Sequence, residues 1–71
     1  MVTAIDVGRT MMLRAGDVED DAEFNTWARV GPILINHGPT PYQTAMCMFT
    51  DSERFAIERA ARIFMDELNS I

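Results

Sequence analysis

Between Thr50 and Asn69 the apolar side chains return every three or four positions, the period of a helix with one face buried. At roughly 100° per residue, Ala56, Ile57, Ala60, Ala61, Ile63, Phe64, Met65 and Leu68 fill an arc of about 200°. Glu58, Arg59, Arg62 and Asp66 make the opposite face. Thr50-Asp51-Ser52-Glu53 fits a capping box, and its acids suit the positive end of the helix dipole. No Gly or Pro interrupts the run to Leu68, and Ala, Glu, Arg, Met and Leu are strong helix formers. Arg54–Glu58, Glu58–Arg62 and Arg62–Asp66 have opposite signs at a spacing that supports a helix face. A long helix over 51–69 is therefore predicted. Its arc is wider than the stripe of a little over about 100° that a surface helix buries. Ile57, Ala61, Phe64, Met65 and Leu68 are accordingly expected in a core or dimer seam. Phe55 falls within the charged face. The default expectation is that it packs back against the preceding segment, and the alternative is an exposed interface anchor framed by arginines.

Upstream the pattern is shorter and broken by glycines. Asp6 to Ala15 reads as a short helix stopped by Gly16. Phe24, Trp27 and Ala28 share one helical face, which predicts a helix from about Asp20 to Val30, stopped by Gly31-Pro32. Ile33 to Ile35 is too short to assign by periodicity, and Asn36-His37-Gly38-Pro39 reads as a loop. Pro41 to Phe49 is ambiguous. Thr40-Pro41-Tyr42-Gln43 fits a second capping box with proline at the first helical position, and Tyr42, Ala45, Met46 and Phe49 keep helical spacing. The same stretch could pair with Val30–Asn36 as a β-hairpin, although Met and Ala do not favour strands. The expected fold is all-α: one small domain over 1–71, with three to four helices ending in the long helix 51–69. The alternative is α+β, with a hairpin over 30–49 packed on the C-terminal helix.

Composition narrows the function classes. The chain has 71 residues and a formal charge of −5, and all six cations are arginine. A domain this small has a marginal core, and oligomerisation is a common remedy, so a homodimer is expected. One cysteine forbids an internal disulfide and suits a reducing cytoplasm. No stretch approaches the run of about 20 apolar residues that spans a bilayer, and the N-terminus lacks the pattern of a signal peptide. His37 and Cys47 are the only residues of their types, too few N/S ligands for zinc. Cys47 lies in an apolar run where a buried structural thiol is expected rather than a nucleophile. A phosphate loop of the Walker type needs a lysine, and the chain has none. No catalytic residue, cofactor or metal is predicted.

Three segments resemble known families. Ala4-Ile5-Asp6-Val7-Gly8-Arg9-Thr10 resembles the opening strand and phosphate turn of sugar kinases and actin-like ATPases, folds that build two lobes from far more chain. Phe49-Thr50-Asp51-Ser52-Glu53-Arg54 through Ala61 is similar to the strand-to-helix junction of ribbon-helix-helix antitoxins, but Ala45–Phe49 lacks the basic or amide side chains that read DNA. Thr40–Phe49 followed by Asp51–Leu68 could form a helix-turn-helix. Duplex binding depends on cations meeting phosphates, and here Arg54, Arg59 and Arg62 are interleaved with Glu53, Glu58 and Asp66. Nucleic acid is thus not expected as a partner.

Binding to protein remains. Asp17, Glu19, Asp20, Asp21 and Glu23 place five acids within seven residues. They read as a solvated helix start, or as a surface that meets a basic groove on a larger protein. Trp27 and Tyr42 are, after arginine, of the types most enriched at interface anchors, and Phe55 framed by Arg59 and Arg62 has the look of such an anchor. Methionines at 11, 12, 46, 48 and 65 are adaptable packers of cores or interfaces. The size, acidity and missing chemistry resemble the small accessory proteins that phages encode against host machinery and defences, including anti-CRISPR proteins. That resemblance implies an inhibitor or regulator acting by occlusion. The alternatives are a DNA-binding regulator of helix-turn-helix or antitoxin type and a structural subunit of a larger assembly.

Overall fold

The computed structural model describes residues 1–70, and among them every regular element is helical. Helix α1 spans Ala4–Arg14, α2 Asp21–Asn36, α3 Tyr42–Ala45 and α4 Asp51–Asn69. Short 3-10 turns at Ala15–Asp17 and Met46–Met48 follow α1 and α3. The all-α expectation with a long closing helix is what the structure shows. The hairpin alternative over 30–49 is wrong. Among the described residues its one extended contact is an isolated bridge from Pro41 to Thr3, outside the proposed hairpin. None of the described helices is long and apolar enough to cross a membrane.

Each long helix starts on a side-chain cap. At α4, Glu53 N–H donates to Thr50 Oγ1 (3.3 Å) and Thr50 N–H to Glu53 Oε1 (2.8 Å), the reciprocal box expected there. The same box opens α1, between Thr3 and Asp6 at 3.1 and 3.2 Å, so that helix begins two residues before the predicted Asp6. Ala4–Thr10, the segment similar to an ATPase strand and turn, is therefore helical. At α2, Asp20 accepts from Glu23 N–H at 2.9 Å.

The largest departure is at Gly31-Pro32, predicted to stop α2. The helix runs through both to Asn36. Proline in a helix interior removes the hydrogen bond to the carbonyl four residues back, at a cost of about 3 kcal/mol. Here Pro32 and Ala28 both lie on the exposed side, a setting in which water can take the freed carbonyl's bond. Val30 and Leu34, on the other side, are fully buried and hold the helix together across the break. Gly31 belongs to a close crossing with Gly8 of α1. A Cβ on Gly8 would lie 2.7 Å from the Gly31 carbonyl oxygen.

Pro41–Phe49 is helical, as favoured, but in two short pieces. The expected Thr40 cap does not form. Pro41 takes the cap position, and the Thr40 hydroxyl donates to the His37 carbonyl at 3.0 Å. The reason lies in the N-terminal strap. Ala4 N–H donates to the Thr40 carbonyl (2.7 Å) and Tyr42 N–H to the Val2 carbonyl (3.2 Å), which fixes the backbone before α3 as extended. The ribbon position Ala45–Phe49 is thus helical rather than extended over most of its length, and Thr40–Phe49 holds the four-residue α3 and a 3-10 turn in place of one full helix.

The core gathers Ala4, Val7 and Met11 from α1, Trp27, Val30 and Leu34 from α2, and Tyr42, Ala45 and Phe49 from the α3 segment. Ala56, Ile57, Ala60 and Ala61 of α4 complete it. Within the predicted seam, Ile57 and Ala61 are wholly buried in this core, Phe64 and Met65 are half-buried, and Leu68 is exposed. Small alanines on α4 let α1 and α2 approach closely, so most of the wide arc is covered within one chain. Tyr42 lies against α4. Burial pushes its hydroxyl above the ordinary tyrosine range, with nearby Glu58 adding to the rise and Arg62 opposing it. Cys47, expected to be buried, is exposed in the Met46–Met48 turn beside the exposed Met48.

A candidate acidic groove between α2 and α4

The start of α2 and the last turns of α4 enclose an open groove of about 830 Å³. Its floor is apolar, made of Val18, Trp27 and Ile63. Its rim is ionic, with Asp17, Glu19, Asp20 and Glu23 on one side and Asp66 and Glu67 on the other. Arg14 and Arg59 also line it. Six carboxylates stand against two guanidinium groups, a formal balance of −4. Only −1 of the chain's −5 is left for the remaining side chains.

Chain direction builds this site. α2 runs antiparallel to α4, as the cross-helix pairs Arg59–Glu23 and Arg29–Glu53 show. The acidic turn before α2 is thereby brought beside the acidic C-terminal end of α4. Arg14 bridges the two sides, 2.7 Å from Glu67 and 3.5 Å from Asp17. Its guanidinium pKa is raised, first through the Glu67 hydrogen bond. The two arginines pin the groove walls together and leave Glu19, Asp20 and Asp66 with no cation within 4 Å among the described residues.

Trp27 is 1 % exposed, and its indole Nε1 is buried with no hydrogen-bond partner among the described residues. Such a group in an apolar site costs roughly 1–3 kcal/mol. The indole thus belongs to the core and lines the groove as part of its floor.

Of the residues singled out from the sequence, the fold unites Asp17, Glu19, Asp20, Glu23, Trp27 and Arg59 in this groove. Asp21 is exposed on the first turn of α2 and does not line it. Phe55 and Arg62 lie on another face of α4, with Asp51, Arg54 and Glu58. Phe55 does not pack back on the preceding segment, since it is 67 % exposed. Phe49 has taken the core place beside that turn. The expected pairs Arg54–Glu58, Glu58–Arg62 and Arg62–Asp66 are not formed. Arg54 instead meets Asp51 (3.3 Å) and donates from Nε to the Phe49 carbonyl (3.1 Å), while Arg59 reaches across to α2. Arg14, Val18, Ile63, Asp66 and Glu67 were not singled out. Ile63 lay at the edge of the predicted apolar arc, and nothing in the pattern showed which neighbour that edge would meet.

Glu53 fastens the other end of the α2–α4 contact. The Arg29 hydrogen bond, then the Thr50 backbone bond, hold its carboxyl below the ordinary carboxylate range. A depressed folded-state pKa adds stability that is complete above the unfolded-state value and is lost as pH falls through the folded one. Glu53→Gln is therefore expected to melt below wild type at neutral pH, with the gap closing as pH drops beneath about 4. Thermal melts followed by circular dichroism across that range check it, and a gap independent of pH contradicts it.

No cluster of three potential metal-ligating side chains comes together among the described residues. Comparison with family models, curated proteins and solved structures finds no match for this chain.

Proposed function

We propose that this chain is a non-catalytic interaction module that holds a basic segment of a larger protein in the α2–α4 groove and so occludes it, as an inhibitor or regulator. The observation that carries this reading is the concentration of nearly all the net charge around one apolar-floored groove. An arginine or lysine side chain suits both parts of it. The aliphatic stem lies on Val18 and Ile63, while the cationic head meets Glu19, Asp20 and Asp66. Surplus negative charge also steers a basic partner during encounter. A surface of this sign fits a protein groove that otherwise takes a phosphate backbone. The exposed lone thiol suits a reducing compartment such as the cytoplasm. Two copies of the module would present two grooves and gain avidity on a repeated basic target.

The test uses an arginine-rich peptide, with duplex DNA as comparator, and reads both the fluorescence of Trp27, the chain's one tryptophan, and binding calorimetry. Peptide binding that weakens as salt rises is expected, with no DNA binding. The triple variant Asp17→Asn, Glu19→Gln, Asp66→Asn should lose about 10-fold or more in affinity, equivalent to about 1.4 kcal/mol. It leaves the Asp20 cap and the Arg59–Glu23 pair intact, so the fold should persist. DNA binding without peptide binding would favour the DNA-regulator reading, and full affinity in the triple variant would sink the groove.

A further inference from the structure

The outward face of α4 carries an exposed aromatic and a charge order that complements itself when reversed. Asp51, Phe55, Glu58 and Arg62 fall within a stripe about 60° wide at roughly 100° per residue. Their 4-3-4 spacing is that of a helix seam. The stripe is open, since Asp51, Phe55 and Arg62 are exposed and these residues, with Arg54 and Arg59, line a shallow concavity of about 640 Å³.

Lay a second α4 antiparallel on the first, with the two-fold axis midway between Phe55 and Glu58. Asp51 then faces Arg62 of the second copy, and Arg62 faces its Asp51. Arg54, which meets Asp51 of its own chain at 3.3 Å, comes within one residue of level with Glu58 of the second copy on the same flank, and its exchange onto that carboxylate offsets the approach of the two Glu58 side chains near the axis. The two Phe55 rings are offset by three residues, or about 4.5 Å along the helix, within reach of an offset aromatic pair. Each contact occurs twice, as a two-fold interface requires.

From this complementarity we propose that the outward face of α4 seats a second copy of this chain, paired antiparallel about an axis between Phe55 and Glu58. This moves self-association away from the broad apolar face of the same helix, whose Ile57 and Ala61 are enclosed in the core. The Asp17, Glu19 and Asp66 side chains that test the groove take no part in the stripe, so the two readings fail separately.

Sedimentation equilibrium and light scattering test the pairing from low micromolar to near-millimolar protein. The wild type should reach dimer mass, with association weakened by salt. Phe55→Ala, at an exposed position, should weaken association by about 10-fold or more, the range of an interface anchor. Asp51→Arg and Arg62→Asp should each weaken it, and the two together in one chain should restore it, because the opposed charges trade places across the axis. A wild type that stays monomeric throughout overturns the proposal. So does a dimer whose mass ignores Phe55→Ala, or a double variant no better than the single ones.

Discussion

Gly8→Ala is expected to destabilise the protein by about 1–2 kcal/mol, although alanine is the better helix former. Alanine in a helix interior gains about 1 kcal/mol over glycine. Against that, the added Cβ would sit 2.7 Å from the Gly31 carbonyl oxygen, 2.8 Å from Ile35 Cγ1 and 3.0 Å from the Ile35 amide nitrogen. Two of those three atoms are backbone of α2, so α2 itself must shift. Overpacking that displaces backbone costs about 1–3 kcal/mol, and this crossing belongs at the upper end because no flexible side chain can yield alone. Gly31→Ala should be milder. Its nearest neighbours are Sδ (3.0 Å) and Cγ of Met12, a half-exposed side chain free to swing outward. Gly16→Ala has nothing within 4 Å and should be neutral or raise stability by about 0.4–1 kcal/mol through the unfolded chain. The expected order of melting temperature is Gly16→Ala, wild type, Gly31→Ala, Gly8→Ala. Each kcal/mol corresponds to roughly 4–8 °C in a domain of this size. A Gly8→Ala protein melting at or above wild type would remove the close crossing from the account. The same shift bears on the proposed groove. If α2 is pushed off α1, Glu23 is drawn away from Arg59, and a groove pinned by that pair opens.

This crossing also marks where the sequence stopped being informative. The closing helix was legible because its evidence is local: a capping box, uninterrupted helix formers and a single apolar period. α2 was cut short because Gly31-Pro32 is a strong stop signal when only neighbours are counted. What keeps the helix going is non-local, namely the burial of Val30 and Leu34 and the fit of Gly31 against Gly8. The candidate site divides in the same way. The acidic stretch from Asp17 was conspicuous along the chain, and Trp27 followed from its helical spacing. Their union with Arg59, Ile63 and Asp66 depends on α2 running antiparallel to α4, which no side-chain pattern encodes. Arg59 illustrates the limit. On the helix wheel it belonged to the charged outer face as a candidate contact for a partner, yet it binds Glu23 on α2. Phe55 was visible as an aromatic out of place, but its position on the wheel did not tell whether it would turn inward, and it is Phe49 that is buried while Phe55 stays exposed.

Trp27→Ala should be the most damaging single substitution, with a loss of about 3–5 kcal/mol. Trp27 is the largest of the fully buried side chains. A small single core supplies about 3–5 kcal/mol in all, so the variant is expected to be largely unfolded at ambient temperature. Trp27→Phe separates two opposing contributions. The smaller ring forfeits contacts and leaves a cavity beside Val18 and Ile63, but it also removes an N–H that is buried without a partner, a group whose desolvation costs roughly 1–3 kcal/mol. The expected result is a folded protein destabilised by no more than about 1–2 kcal/mol, well short of the alanine variant. Denaturant unfolding followed by circular dichroism at the helix bands measures both variants without the tryptophan signal. If Trp27→Phe costs as much as Trp27→Ala, the indole N–H is making an interaction that stabilises the fold. If Trp27→Ala melts within a few degrees of wild type, Trp27 is not holding the floor. The same pair of variants then bears on binding. Trp27→Phe keeps an aromatic floor beneath Glu19, Asp20 and Asp66, so it should retain most of the affinity for an arginine-rich peptide. Retained affinity together with a small stability loss would assign Trp27 to supporting the groove walls rather than to contacting the cation.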